Sequence, residues 1–197
     1  GENNILDSVK EGTYLIDMTT TSPTLNQKIY TEGLKKHLHV LDAPVTGGDS
    51  GAIHATLSIL VGGNKEDYEA CLPLFKAMGT NINYQGPSGQ GQHAKMANQI
   101  MIAGALSGVC EALTYAQSKG LDLDVLLKSV STGAAGSHQL DAFGPKILKE
   151  DYQPGFFLKH FIKDMKLADE EAKASDITLN VLERVLENYK TLEEEGY

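Results

Sequence analysis

The stretch Gly86-Pro87-Ser88-Gly89-Gln90-Gly91 and the run behind it, from Gln92 to Lys119, decide the fold. Glycine and proline at this density mark a loop. The residues after it contain no proline up to Lys119, and Ala94, Ala97, Ala103, Gly104, Ala105, Ser107 and Gly108 would let neighbouring helices approach closely. This predicts a long central helix, beginning near Gln92 and ended by Gly120. Before the loop, hydrophobic residues alternate between strand and helix periods; after it, the strand signal disappears.

Working back from the loop, Tyr14-Leu15-Ile16-Asp17 reads as a strand entering the polar segment Thr19-Thr20-Thr21. Ser22-Pro23 supplies a helix cap followed by proline at the first helical position, which predicts a helix to Lys35. Strands are expected at His37 to Asp42 and Thr56 to Val61. Asn64 should start a helix with Tyr68, Cys71, Leu72, Phe75 and Met78 on its apolar face, ended by Gly79, and Ile82 to Tyr84 reads as a short strand. Working forward, helices are expected at Asp122 to Thr132, Gln139 to Lys149 with a break at Gly144-Pro145, His160 to Ser175, and Thr178 to Glu194. The chain thus reads as an α/β piece over residues 1–87 followed by an all-α piece over 88–197.

The chain has 197 residues, a net charge of −9, 41% hydrophobic and 22% charged residues, which is the usage of a folded globular protein. With no cluster of Lys and Arg, it lacks the electrostatic footprint of a nucleic-acid or anionic-membrane binder, and no such partner is expected. The longest apolar run, Ile100 to Val109, is interrupted by Gly104, Ser107 and Gly108 and falls short of the about 18 residues that span a bilayer. Cys71 and Cys110 form no Cys-x-x-Cys pair and read as small core residues in a reducing compartment, so a cytoplasmic location is expected. The 6 histidines are scattered without metal-ligand spacing, so no metal site is expected.

Glycine-rich dinucleotide and phosphate loops, His-Glu-x-x-His and Gly-x-Ser-x-Gly are all absent. What remains is a set of polar islands. Asp42-Ala43-Pro44-Val45-Thr46-Gly47-Gly48 follows a strand, where α/β sheets bind ligands, and its glycines expose backbone N–H groups to an anion; a tight turn would use the same residues. Lys95, in the expected first turn of the long helix, sits at the end whose dipole disfavours an ammonium. That field, with burial, should lower its pKa from about 10.4 toward the range useful for proton transfer, although a solvated surface lysine is the plain alternative. Asn98 and Gln99, at i+3 and i+4, share its helix face. Lys163-Asp164 is either a functional pair or a solvated helix surface, and Thr19 to Thr21 either a ligand loop or a polar turn.

Taken together, these islands resemble the β-hydroxyacid dehydrogenases, the group of 3-hydroxyisobutyrate dehydrogenase and tartronate semialdehyde reductase. The matching stretches are Asp17-Met18-Thr19-Thr20-Thr21-Ser22-Pro23, Leu41 to Gly48, Gly51-Ala52, Thr56-Leu57, Val61-Gly62-Gly63, Gly89-Gln90-Gly91 with Lys95 and Asn98-Gln99, and Pro154-Gly155-Phe156 with Ile162-Lys163-Asp164. The resemblance implies the second half of a Rossmann-type nucleotide-binding domain, joined by the long helix to a helical domain. It implies hydride transfer between NAD or NADP and a small 3-hydroxy acid, of the 3-hydroxyisobutyrate or tartronate semialdehyde/glycerate type. Lys95 would be the acid/base lysine, with Asn98 and Gln99 holding it and the substrate oxygen. Thr46, Gly47 and Gly48 would bind the substrate carboxylate, while Thr20 and Lys163, oriented by Asp164, would contact the cofactor.

A homodimer or homotetramer through the helical domain is the family habit. Thr46 stands where the family usually has serine, so its added methyl narrows the pocket. The family's glycine-rich opening half is not in this sequence, which suggests a chain cut from a longer enzyme and unable by itself to hold a dinucleotide pyrophosphate. A catalytically silent module for oligomerisation or ligand sensing is the alternative. The related 6-phosphogluconate dehydrogenases fit less well, because a phosphate substrate calls for a basic array.

Overall fold

The computed structural model describes residues 4–153 and 155–197; Pro154, part of the match at Pro154-Gly155-Phe156, lies outside them. It divides into two units, Gly1–Ala97 and Asn98–Tyr197. In order, the first unit contains α1 (Ile5–Ser8), β1 (Tyr14–Asp17), α2 (Pro23–Leu34), β2 (His39–Asp42), β3 (Val45–Thr46), α3 (Gly48–Ile53), β4 (Leu57–Gly63), α4 (Lys65–Lys76) and β5 (Gly79–Gly86). Next comes α5 (Gln90–Ser118), within which the division between units falls. The second unit continues with α6 (Leu123–Val130), α7 (His138–Leu148), α8 (Leu158–Ala174) and α9 (Asn180–Glu194).

Local chemistry sets most of these boundaries. The Ser22 hydroxyl accepts from Leu25 N–H at 3.4 Å, with Pro23 opening α2. Asn64 accepts from Glu66 N–H at 2.8 Å, and the acidic Glu66 and Asp67 follow at the positive end of α4. Asp122 and Ser137 cap α6 and α7 in the same way.

The strands form a five-stranded sheet. β1 and β2 pair in parallel through the α2 crossover, and β4 pairs in parallel with β5 through α4. β4 is the hub: it also runs antiparallel to β2, with Asp42 opposite Gly62, and to β3, with Thr46 opposite Ser58. Between β2 and β4 the chain passes only through the short β3 and α3 and reverses direction, so the sheet is mixed. Its core is Leu41, Ala43, Leu57, Ile59, Val61, Cys71 and Phe75.

In the second unit Val109, Leu113 and Leu140 pack with Leu126, Leu127 and Ile147, joining α5, α6 and α7. Phe161 of α8 meets Tyr189 of α9 edge to face at 5.4 Å. The architecture is the expected one, a Rossmann-type α/β piece followed through a long helix by an all-α piece.

Several local expectations are corrected. Gly79 does not end α4; Ala77 is the C-cap, and Gly79 opens β5, where a Cβ would collide with the Leu57 carbonyl across the ladder. β5 extends to Gly86 rather than stopping at Tyr84 because it has all of β4 to pair with. The Gly-rich stretch after β2 holds two short elements, β3 and α3, where none was expected.

α7 runs unbroken through Gly144-Pro145. Gly144 lies where a Cβ would come within 3.0 Å of Leu127, so close packing on α6 holds this turn of α7 although proline removes one backbone bond. Cys71 is buried, but Cys110 is exposed on α5 and is not a core residue. Among the described residues α5 is the one helix long and apolar enough, by length and composition, to cross a membrane; an uninterrupted apolar run is too strict a criterion for it.

Candidate active site

In the first unit the site grows from the C-terminal ends of β1 and β2. β2 ends in Asp42 and leads through Pro44 into β3, so Thr46 is half-buried at a strand end and Gly47 and Gly48 are exposed just beyond it. Gly47 (φ 133°) and Gly48 (φ 62°) adopt backbone angles that side chains disfavour, which is why both are glycines. Instead of closing a tight turn, Gly47 caps α3, with no side chain bonded across its first turn.

Lys95 reaches this segment. It is 7% exposed, and its Nζ donates to the Val45 carbonyl at 2.8 Å, next in sequence to Thr46. The surface-lysine alternative is thereby excluded. Because α5 starts at Gln90, Lys95 stands in the second turn rather than the first. The helix field fades beyond the first turn, so burial and the Val45 carbonyl, more than the dipole, define its surroundings.

Two functional candidates escaped the sequence. Asp42, 1% exposed, accepts from Gly89 N–H through Oδ1 at 2.8 Å and from Gln92 N–H through Oδ2 at 3.0 Å. The carboxylate caps α5 from a strand far back in the chain. Burial pushes its carboxyl above the ordinary value, against the opposing pull of the Gly89 and Gln92 amides. Gln92 has no exposure; its Nε2 donates to the Thr19 carbonyl at 2.7 Å and its Oε1 accepts from Thr21 N–H at 3.1 Å. Asp17 shapes the same loop by accepting from Thr19 N–H at 2.9 Å. Thr20, the expected cofactor contact, is thus flanked by two residues whose main chain is fixed by one buried amide.

The second unit brings together the other predicted residues. Asn98 Nδ2 donates to Gln99 Oε1, and Gln99 Nε2 to Asp164 Oδ2, both at 2.7 Å. Asp164 Oδ1 lies 2.8 Å from Lys163 Nζ. Gln99 and Asp164 are 3% and 1% exposed, whereas the Lys163 side chain is 49% exposed. Lys163-Asp164 is therefore not a solvated surface pair: its acid is core, and the half-exposed Lys163 side chain is tied to it. Among the described residues no group of three His, Cys, Asp or Glu side chains could hold a metal ion.

The chain matches known proteins throughout. Residues 89–197 match the family described as "NAD-binding of NADP-dependent 3-hydroxyisobutyrate dehydrogenase", and residues 1–86 match the "NAD binding domain of 6-phosphogluconate dehydrogenase". An uncharacterised oxidoreductase of Bacillus subtilis, YkwC, is 56% identical over 88% of this chain and 60% of its own length. The probable mitochondrial 3-hydroxyisobutyrate dehydrogenase-like 1 of Arabidopsis thaliana is 40% identical over 99% of this chain and 58% of its own. The chain therefore spans about 60% of the length of these relatives.

Among solved structures, Mycobacterium tuberculosis 3-hydroxyisobutyrate dehydrogenase with L-serine superposes with a TM-score of 0.89 at 26% identity, over 95% of this chain and 67% of that one. A family match over more than half of the chain, with the fold in agreement, settles the affiliation: this chain belongs to the 3-hydroxyisobutyrate dehydrogenase family.

Proposed function

We propose that this chain carries the proton-transfer and substrate-binding residues of an NAD(P)-dependent 3-hydroxyacid dehydrogenase. The supporting observation is the buried Lys95, whose Nζ is held at the Val45 carbonyl beside Thr46, Gly47 and Gly48. The substrate class is a small acid bearing a 3-hydroxyl, such as 3-hydroxyisobutyrate or glycerate with its semialdehyde. The M. tuberculosis relative with L-serine, itself a 3-hydroxy acid, supports that class.

Each unit has a feature that suits a nicotinamide dinucleotide in kind: in the first, the strand-end loop around Thr20, and in the second, the half-exposed side chain of Lys163. When bound, NAD or NADP supplies the hydride acceptor or donor. Lys95, as the neutral amine, takes the hydroxyl proton of the alcohol, and as the ammonium returns it to the carbonyl oxygen. Val45 occupies one Nζ donor position and thereby orients the rest. The Thr46 hydroxyl and the amides of Gly47 and Gly48 hold the substrate carboxylate; Asn98 and Gln99 serve the reacting oxygen, their own amides fixed by their bonds to each other and to Asp164. Asp164 fixes the direction of Lys163. A cytoplasmic homodimer or homotetramer, paired through the helical unit, completes the proposal; exposed Met101 and Tyr115 on α5 supply apolar surface for it.

The test is nicotinamide-dependent oxidation of a panel of small 3-hydroxy acids by the full-length protein and its Lys95→Ala variant. The variant should lose roughly 10²–10⁴-fold in kcat with an unchanged circular dichroism spectrum. Turnover near wild type would refute the role of Lys95, and no turnover by wild type would favour a silent module.

A further inference from the structure

We infer that Gln92 is a positioning residue that locks the Thr19–Thr21 loop to the first turn of α5, directly before the turn carrying Lys95; the inference rests on the dehydrogenase reading for its catalytic consequence. A primary amide with no exposure is costly unless both its oxygen and its nitrogen find partners, and an apolar side chain of similar size would fill the same space without that demand. Gln92 spends both ends of its amide on one loop, donating to the Thr19 carbonyl at 2.7 Å and accepting from Thr21 N–H at 3.1 Å. The pair brackets Thr20.

The base of the side chain is fixed as well, because Asp42 Oδ2 accepts from the Gln92 N–H at 3.0 Å. Gln92 and Lys95 are three residues apart in one helix and so lie on adjoining positions of the same face. Lys95 is anchored in turn to Val45. The loop at the end of β1, the segment after β2 and the start of α5 are therefore held in one register by Asp42, Gln92 and Lys95. A shift of the loop relative to Lys95 would separate the cofactor contact from the proton-transfer group, and a misplacement of about 1 Å can lower turnover on the order of 10²-fold.

The test uses Gln92→Met and Gln92→Leu, which fill the space without hydrogen bonds. In this chain, amide hydrogen exchange at Thr21 should accelerate about tenfold, matching the loss of one hydrogen bond, while exchange at Leu41 in the β2 ladder stays unchanged. In the full-length enzyme, kcat should fall by roughly 10²-fold with KM for the hydroxy acid little altered. Unchanged Thr21 exchange overturns the clamp. Faster exchange with wild-type kcat shows a loop staple without catalytic consequence and overturns the positioning role, as does failure of both variants to fold. An inactive wild type refutes the dehydrogenase reading instead, and the exchange result then decides the clamp alone.

Discussion

Gln99 of α5 donates to Asp164 of α8 at 2.7 Å although 65 residues separate them, and both side chains are almost without exposure. Asp164 also faces Lys163, whose side chain is half-exposed and can turn its ammonium to water when the acid is removed. The damage in Asp164→Ala is thus chiefly an unsatisfied Gln99 amide, and the expected loss is about 1–3 kcal/mol of unfolding free energy in urea. Asp164→Asn retains an acceptor for Gln99 and should lose less. Equal losses in the two variants would contradict this account.

Asp42 makes a pH-dependent prediction. Its carboxyl is pushed up by burial, so the folded chain binds that proton more tightly than the unfolded chain. The group's contribution is then fully present below the unfolded carboxylate value of about 3.9 and is lost as pH rises through the folded value. In urea titrations from acid to neutral pH, the stability of wild type relative to Asp42→Asn should decline with rising pH. A relative stability that climbs with pH would mean the amides of Gly89 and Gln92 outweigh burial.

The Asp42 clamp depends on two glycines that leave no room for a methyl. A Cβ on Gly62 would stand 2.7 Å from both Asp42 carboxylate oxygens and from Gly91 N, and one on Gly91 would meet the Leu60 carbonyl and lie 2.8 Å from Asp42. These neighbours are backbone or a pinned side chain and cannot swing away. Gly62→Ala and Gly91→Ala should each destabilise the first unit by roughly 1–3 kcal/mol or more, seen as a lowered Tm. Gly108→Ala, on a glycine inside α5 with open space around it, is the control: with no clash it should keep Tm or raise it slightly through the better helix propensity of alanine.

What the sequence made legible was local or periodic. The caps at Ser22 and Asn64 act within three residues, and the change from mixed periods to helix alone marks the passage from sheet to helices. Lys95, Asn98, Gln99, Lys163 and Asp164 stand out in the sequence through resemblance to a family, and the structure supplies their hydrogen bonds and ion pair. Asp42 and Gln92 were not assigned because their partners lie 47 to 73 residues away and neither residue type announces burial. The usable signal was Gly62 and Gly91, glycines in a strand and at a helix start, where only close approach of another backbone explains them. The break expected at Gly144-Pro145 failed for the converse reason: packing on Leu127 outweighed a local rule.

Thr46 tests the substrate side. It is half-buried on β3, opposite Ser58, and the next residue turns into the exposed glycines proposed to hold a carboxylate. Thr46→Val keeps the side chain's shape and removes only its hydroxyl, so it deletes a hydrogen bond to a charged group while leaving Lys95 and its Val45 contact in place. Such a bond contributes about 1.5–3 kcal/mol, equivalent to roughly 10- to 100-fold in KM for the hydroxy acid, with a much smaller change in kcat. Thr46→Ser restores the residue usual in the family and removes one methyl, which should favour the bulkier acids of a substrate panel by about tenfold in kcat/KM. Steady-state kinetics of the two variants in the full-length enzyme separates these effects. A Thr46→Val variant that loses kcat rather than affinity would move Thr46 from carboxylate binding to the reacting oxygen.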